Sequence, residues 1–282
     1  MTPETLAIAL SLASSTAWGV SDFLGGQQSR RIPVLWVVAV SYPSGFLLIA
    51  AVALILGGSL PVEEAAIAAG AGACGAAAIA LYYASMAIGP VSIVAPIASM
   101  GAIIPVAAGL IRGESPSRVQ MAGLALSLVG IGLAVREAEH PHQARVSTRA
   151  LLLAALGGIG FGLFFLGLDG PASEDALWAA AWARVGGTVA IVLVLLSRPP
   201  SRGFGIAALP VLLLIGALDA AANSFFALAT SKGLLSLVAV GASLFPVVTV
   251  LLARMVLSER LARVQQVGVA LALCGVALIA AG

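Results

Sequence analysis

The chain has 282 residues, of which 61% are hydrophobic and only 9% are charged, and its formal net charge is +2. Soluble domains carry about 25% charged residues, so the composition excludes a single soluble core and indicates a protein that lies within a membrane. The small net charge, without a basic cluster, also argues against a nucleic-acid partner.

Long runs without charge divide the sequence into candidate membrane spans. No acidic or basic residue occurs at 65–111, 233–253 or 264–282, and a helix needs about 20 apolar residues to cross the hydrocarbon core. The N-terminal segment lacks the basic residues of a signal peptide, so we expect it to be retained as the first span. Hydropathy, with Gly, Pro and charged residues marking the ends of the spans, predicts an all-α polytopic membrane protein of ten transmembrane helices. These lie at 5–24, 33–57, 64–87, 91–111, 117–135, 149–168, 175–197, 205–230, 235–253 and 263–281.

The two halves of the sequence repeat each other, which is a strong constraint on the fold. A shift of 144 residues places Gly89 on Gly233 and Ser99 on Ser243. One further residue aligns "GESPSRVQMAGLALSLVG" (113–130) with "SERLARVQQVGVALALCG" (258–275). We therefore predict two five-helix repeats, at 1–136 and 149–282, joined by a polar linker at 137–148. Because five is odd, the second repeat enters the membrane from the opposite face, an inverted arrangement that is typical of transporters.

Two charged residues lie inside predicted spans, Arg184 in "WARVGGT" and Asp219 in "LDAAANSFF". A charge at mid-membrane costs about 2.5–3.5 kcal/mol on insertion scales and usually faces a cavity or a partner. We expect Asp219 to exchange protons, as the coupling residue, or to bind a substrate ammonium. Arg184 then holds a substrate carboxylate or neutralises Asp219. The alternative is a fixed pair that only joins two helices. Asn223 shares a helix face with Asp219 at the i, i+4 spacing.

Further candidates for the substrate site are aromatic or hydroxylated. Packing or lipid contact is the alternative for each of them. They are Trp18, Tyr42, Tyr82, Tyr83, Trp182, Ser99 and Ser243. Asp22 either lines the mouth of a cavity or, as we expect, is a solvated acid near the end of the first helix.

The sequence also suggests structural devices at the helix junctions. Glu114 and Glu259 precede the last helix of each repeat, where an acid favours the helix dipole, and we expect pairing with Arg118 and Arg263. Three prolines interrupt the fourth and ninth spans and act either as hinges or as packing kinks. They are Pro96, Pro105 and Pro246.

An enzyme is not expected. Both histidines, His140 and His142, lie in the polar linker, and Cys74 and Cys274 have no ligand-like spacing. No H-E-x-x-H motif or Gly-rich phosphate loop occurs in the sequence. We therefore expect no catalytic residue, no metal and no cofactor.

Three features together resemble the drug/metabolite transporter superfamily, with each half similar to one EamA domain. They are Trp18-Gly19, ten spans in two halves, and the motif E-x-x-x-R-x-Q-x-x-G, which begins at Glu114 and again at Glu259. The resemblance implies a secondary transporter, usually an exporter of amino acids or related metabolites, with the proton as a candidate coupling ion. It also implies an arginine in the second helix of each repeat. Arg184 fills that place in the second half, whereas Tyr42 stands there in the first.

The orientation of the chain stays open. Loops on the N-terminal side hold three Lys or Arg residues, whereas the opposite side holds ten. The positive-inside rule then places both termini outside the cytoplasm, whereas the resemblance implies cytoplasmic termini.

The sequence thus predicts a multi-pass protein of the bacterial inner (plasma) membrane whose partners are a small-molecule substrate and the lipid bilayer. Alternating access of the two repeats moves an amino acid or related compound. A quaternary-ammonium or drug exporter and a membrane subunit without transport are the alternatives, and the oligomeric state stays open.

Overall fold

The computed structural model describes residues 2–134, 147–257 and 263–281. Within these ranges every regular element is helical, and no strand occurs. Eleven α-helices are described, namely α1 (Pro3–Ser29), α2 (Val34–Leu56), α3 (Val62–Ile88), α4 (Val91–Ser99), α5 (Ile103–Ile111), α6 (Arg118–Ala134), α7 (Thr148–Ser197), α8 (Leu209–Thr230), α9 (Leu235–Ala242), α10 (Phe245–Leu257) and α11 (Arg263–Ala281).

Within the described part of the chain, six segments are long and apolar enough to cross a membrane, which confirms an all-helical, multi-pass membrane fold. The prediction of ten spans stays a prediction, because α1, α6 and α11 are not among the six. The segments are Val34–Leu56, Val62–Ile88, Val91–Ile111, Thr148–Ser197, Ile206–Thr230 and Leu235–Leu257.

Helix α7 is two helices that meet at a sharp break. Its 50 residues would extend about 75 Å at 1.5 Å per residue, more than twice the thickness of the hydrocarbon core. Asp175 divides them with a non-helical backbone, φ −151° and ψ 104°. Its carboxylate accepts the N–H groups of Leu177 and Trp178, both at 3.1 Å, and so caps the second helix. We call residues 148–174 the first arm of α7 and residues 176–197 the second arm.

Two further helices break at matched positions of the two halves. Met100–Ala102 forms a 3₁₀ turn between α4 and α5, and residues 243–244 separate α9 from α10. Pro105 and Pro246 each lie in the first turn after a break. A proline has no N–H for the carbonyl four residues earlier, which here belongs to Gly101 or Ala242. The two prolines therefore account for the positions of the breaks, whereas Pro96 is accommodated inside α4.

Small residues let α3 approach α7 very closely. Gly72 of α3 lies directly on the carbonyl oxygen of Ala183, and Gly186 of α7 lies on that of Ala69. In both places a Cβ atom would collide with backbone. Such contacts between small residues are the usual means by which membrane helices associate.

The remaining helices complete a bundle around a common centre. α1 packs against α8 and α10, α2 packs against α7 and α8, and α6 pairs with α11. Large apolar side chains such as Leu54, Ile55 and Leu193 cover the outside, as expected of a lipid-facing surface. The polar side chains described below lie at the centre, away from this surface.

Candidate functional site

A small cavity lies at the centre of the bundle, near the midpoints of the helices that enclose it. Its volume is about 30 Å³, which is enough for a water molecule but not for an organic solute. Two acids, an amide and several aromatic rings line its wall. The lining residues are Trp18, Asp22, Tyr42, Gly75, Ile79, Phe161, Phe164, Phe165, Asp219, Asn223 and Phe245.

The two intramembrane charges identified in the sequence form a buried ion pair. Nη2 of Arg184, on the second arm of α7, lies 2.5 Å from Oδ2 of Asp219 on α8. Only 3% and 11% of the two side chains are exposed. The Arg184 guanidinium carbon also lies 4.6 Å from the centre of the Tyr42 ring, within the range of a cation–π contact. Arg184 lies behind Asp219 and Tyr42, so it is not itself a lining residue.

The Asp219 carboxylate has further partners on its other oxygen. Nε1 of Trp18 donates to Oδ1 at 2.8 Å, and Nδ2 of Asn223 donates to the same atom at 3.2 Å. Asn223 also donates to the Asp219 carbonyl at 2.5 Å, as its i, i+4 position allows. Together, α1, α7 and α8 hold Asp219 by three side chains, so its charge is both balanced and fixed in position.

Asp22 faces the same cavity with fewer partners than Asp219, and the Tyr83 hydroxyl is the side-chain group that hydrogen-bonds to its carboxyl group. It follows Trp18 by four residues on α1, so both lie on one face of the helix. Its residue exposure is 2%, and its Oδ1 has no hydrogen-bond partner among the described residues. Our expectation of a solvated acid was wrong, because α1 continues to Ser29 and places Asp22 well inside the helix.

Aromatic rings form most of the remaining wall. Phe165 stacks on Phe226 with ring centres 4.6 Å apart, and Trp18 lies 5.4 Å from Phe165. On the other side, Tyr82 contacts Phe161 and Phe245 edge-on, at 5.7 and 6.0 Å. Sequence reasoning missed the phenylalanines, although the spacing of Phe161, Phe164 and Phe165 in "FGLFF" puts them on one helix face.

Several candidates from the sequence do not line the cavity. Trp182 is 38% exposed, because it lies two residues from the buried Arg184 and therefore on the opposite side of the helix. Tyr82 and Tyr83 are fully buried behind the wall, and the Tyr83 hydroxyl donates to the Ser21 carbonyl at 3.5 Å. These three residues therefore lie outside the cavity wall in this structure, and their part in substrate binding stays a prediction.

The paired serines of the two repeats also lie outside the wall. Ser99 donates its hydroxyl to the Pro96 carbonyl at 2.8 Å, immediately before the break between α4 and α5. Ser243 is buried at the matching break between α9 and α10. These positions favour the packing alternative over a substrate contact.

Glu114 joins the two halves of the chain at one end of the bundle. Its Oε1 accepts the Leu235 N–H at 2.8 Å, and its Oε2 accepts the Ser236 N–H at 3.1 Å. The carboxylate thus caps the start of α9, in place of the expected ion pair with Arg118, which is not formed. Glu259 lies outside the described residues.

Comparison with known proteins identifies the family of this chain. The model of the EamA-like transporter family matches residues 5–136 and, a second time, residues 148–281. No curated protein matches the sequence. A solved structure entitled "Crystal structure of protein" superimposes with a TM-score of 0.73 at 19% identity, over 96% of this chain and 97% of the other. That likeness concerns the fold alone. Since the two family matches account for nearly the whole chain, this membrane protein, with its two EamA domains, belongs to the EamA-like transporter family of the drug/metabolite transporter superfamily.

Proposed function

We propose that the protein is a secondary transporter that exports a small amine-bearing metabolite, with amino acids and related compounds as the first class to test. The observation that carries the proposal is the cavity at the centre of the bundle, whose wall combines Asp22, Asp219 and aromatic rings. Export, and a location in the bacterial plasma membrane, are the direction and place that the family resemblance implies.

The small size of the cavity supports transport through a closed intermediate. A volume of about 30 Å³ cannot hold an amino acid, so the helices around it separate when solute binds. The breaks after Ser99 and at Ser243 occur at equivalent places of the two halves and give each half a bend near mid-membrane. We propose that the halves are inverted repeats, and that bending at these breaks opens the cavity to one side and then to the other.

The Arg184–Asp219 pair has a supporting role in this mechanism. Because Arg184 already neutralises Asp219 and does not line the cavity, we assign it to holding α7 against α8 and orienting Asp219. Asp219 presents its carboxylate to the cavity through the bonds to Trp18 and Asn223. A coupling role for Asp219 stays our proposal, in which a proton or an entering ammonium competes with Arg184 for the carboxylate.

A second candidate substrate class is organic cations without a carboxylate, including quaternary-ammonium compounds. The lining residues include two acids and no basic residue, so the wall offers no cationic partner for a carboxylate. Aromatic rings around an acid suit an ammonium group equally well in either class.

Flux through reconstituted vesicles tests the proposal. Purified protein in proteoliposomes is assayed for release of labelled amino acids, of small primary amines and of tetramethylammonium, with protein-free vesicles as the control. We expect saturable release of at least one amine-bearing solute. Asp219→Asn is expected to reduce that release at least tenfold, since it removes both the ion pair and the charge. Absence of release for all three classes would instead favour a membrane subunit without transport.

A further inference from the structure

A second cavity lies at the end of the bundle where α1 begins. Its volume is about 530 Å³, which is within the range of ligand-binding pockets, about 300–1,000 Å³. The start of α1, the start of α6 and the turn between α8 and α9 enclose it. Two candidate membrane spans end and begin at this turn, at Thr230 and Leu235. The second cavity therefore lies at the level of the lipid headgroups, and it shares none of its described lining residues with the central cavity.

Two charged side chains of opposite sign line the second cavity without pairing. They are Lys232, the only lysine of the sequence, and Glu4, in the first turn of α1. Both side chains are exposed, and neither forms an ion pair with any described residue. The wall therefore offers one cation and one anion to a ligand, and the two charges sum to zero.

Gln120 adds a buried hydrogen-bond donor to this wall. Only 7% of the residue is exposed, and its Oε1 accepts the Ser117 N–H at 2.8 Å. That bond orients the amide, whereas its Nε2 has no acceptor among the described residues. Because a buried N–H group without an acceptor is unfavourable, a ligand gains by placing an anionic oxygen between Gln120 and Lys232.

The hydroxyl groups at the turn between α8 and α9 are arranged as acceptors. Thr230 donates to the Ala227 carbonyl at 3.0 Å, and Ser231 donates to the Leu228 carbonyl at 2.9 Å. Since their protons are used within the protein, the two oxygens can bind a ligand only by accepting from it, and Glu4 adds a carboxylate. Three acceptors suit a primary ammonium, which has three N–H bonds, better than a quaternary ammonium, which has none.

The inner part of the second cavity is apolar. It is formed by Ala7 and Ile8 of α1 and by Leu237 and Val238 of α9, all of which are buried. Glu4 and Lys232, by contrast, lie at the exposed rim. A free polar solute gains nothing from the apolar part, whereas a lipid can bury its glycerol and first acyl carbons there.

We propose that the second cavity binds the headgroup of a phospholipid that carries a primary ammonium, such as phosphatidylethanolamine. Lys232 and Gln120 hold the phosphate, and Glu4 with the hydroxyl oxygens of Thr230 and Ser231 holds the ammonium. The site is independent of the central cavity and of the proposed transport. A lipid seated there joins α1, α6 and α9 at one face of the membrane.

Native mass spectrometry of delipidated protein in detergent measures the affinity for each lipid. Dioleoyl phosphatidylethanolamine is the probe. It is compared with dioleoyl phosphatidylcholine, which has no N–H bonds, with dioleoyl phosphatidylglycerol, which has no ammonium, and with free phosphoethanolamine. We expect the probe to bind at least tenfold more tightly than each of the three. Equal affinity for either other lipid would show a non-specific lipid contact, and equal affinity for phosphoethanolamine would show a soluble ligand. Each of these results overturns the proposal.

Variants at the rim locate the bound lipid. Lys232→Gln and Glu4→Gln are each expected to lower the affinity for dioleoyl phosphatidylethanolamine at least fivefold, whereas Lys232→Arg keeps a cation and stays within twofold of wild type. Glu63→Gln is the matched control, because Glu63 is an exposed acid in the first turn of α3 and does not line the second cavity. Variants with the melting temperature of wild type are compared, which separates loss of binding from loss of folding. Wild-type affinity in both Lys232→Gln and Glu4→Gln, or an equal loss in Glu63→Gln, overturns the proposal.

Discussion

At the scale of single residues, the three charged side chains that are buried in the described part of the chain differ in their partners. Arg184 and Asp219 neutralise each other at 2.5 Å, and Trp18 and Asn223 add hydrogen bonds to the carboxylate. Asp22, with one oxygen unpartnered, lies on the same wall. The wall thus combines an ion pair that hydrogen bonds hold in place with a second acid that has no ionic partner among the described residues.

We expect the ion pair to couple the two residues strongly in stability. Arg184→Met leaves the Asp219 carboxylate buried without its cation, which typically costs about 3–5 kcal/mol. Adding Asp219→Asn removes that charge and keeps an oxygen that accepts from Trp18. The double variant is therefore expected to recover more than half of the lost unfolding free energy, measured by reversible detergent-induced unfolding. The alternative outcome is that the unfolding free energy lost in the double variant equals the sum of the losses in Arg184→Met and Asp219→Asn. That result would show that Arg184 stabilises the fold through packing alone.

The sequence predicted part of this site because charged residues are rare inside membrane spans. Arg184 and Asp219 were identified by their charge, and Asn223 by its i, i+4 spacing from Asp219. The structure joins Asp219 to both of the others. Asp22 was misjudged because the end of the first helix was placed at residue 24, whereas α1 continues to Ser29. Trp182 lies outside the wall because it is two residues from the buried Arg184, a spacing that places the two side chains on opposite sides of a helix and that the sequence already contained.

At the scale of helices, breaks and close contacts decide what can move. α3 packs along both arms of α7, with Gly72 and Gly186 seated on opposing backbone, so we expect this pair to move as one body. The turns at Met100–Ala102 and residues 243–244 interrupt the other long helices near their midpoints. Rigid pairs together with bent helices are the parts that alternating access needs.

The α3–α7 contact can be tested with two glycines that differ in surroundings. A Cβ on Gly186 collides with the Ala69 carbonyl, whereas a Cβ on Gly70 meets no atom within 4 Å. We expect Gly186→Ala to lower the unfolding free energy by about 1–3 kcal/mol through overpacking. Gly70→Ala is expected to raise it by up to about 1 kcal/mol, because alanine favours the helix. Equal effects of the two substitutions would contradict the close contact.

Helix boundaries were largely predictable, and two of the three prolines expected to interrupt helices, Pro105 and Pro246, do lie at breaks. The seventh span was expected to begin at residue 175, and Asp175 both breaks α7 and caps its second arm. Prolines drew attention to the fourth and ninth spans, yet Pro96 stays within α4. Which proline ends a helix depends on whether the freed carbonyl finds another partner, and that partner is a tertiary feature.

At the scale of the whole molecule, contacts between distant parts of the chain hold the bundle together. Glu114, near the end of the first EamA domain, caps the start of α9 in the second, and Trp18 reaches Asp219 across 201 residues of sequence. The repeat was recognisable from aligned Glu, Arg, Gln and Gly residues, and the family match over both halves agrees with it. The cavity was not recognisable, since residues from six helices converge only in the folded protein.

Access to the cavity from both membrane faces is the central feature of the proposed mechanism. Ile79 lines the cavity without a hydrogen bond to lose, so Ile79→Cys places a thiol there after Cys74 and Cys274 are replaced by serine. Ser115 and Ser201 lie in exposed loops at opposite ends of the bundle, so a cysteine at either one is a one-sided control.

The deciding measurement is labelling of Ile79→Cys by a membrane-impermeant thiol reagent, applied separately to each face of oriented vesicles. We expect Ser115→Cys to react from one face only and Ser201→Cys to react from the other face only. Ile79→Cys is expected to react from both faces. Faster labelling from one face and slower labelling from the other, on addition of a transported amine, is the expected signature of alternating access. Reaction of Ile79→Cys from one face only, under every condition in which both controls react, would contradict a transport cavity at this position.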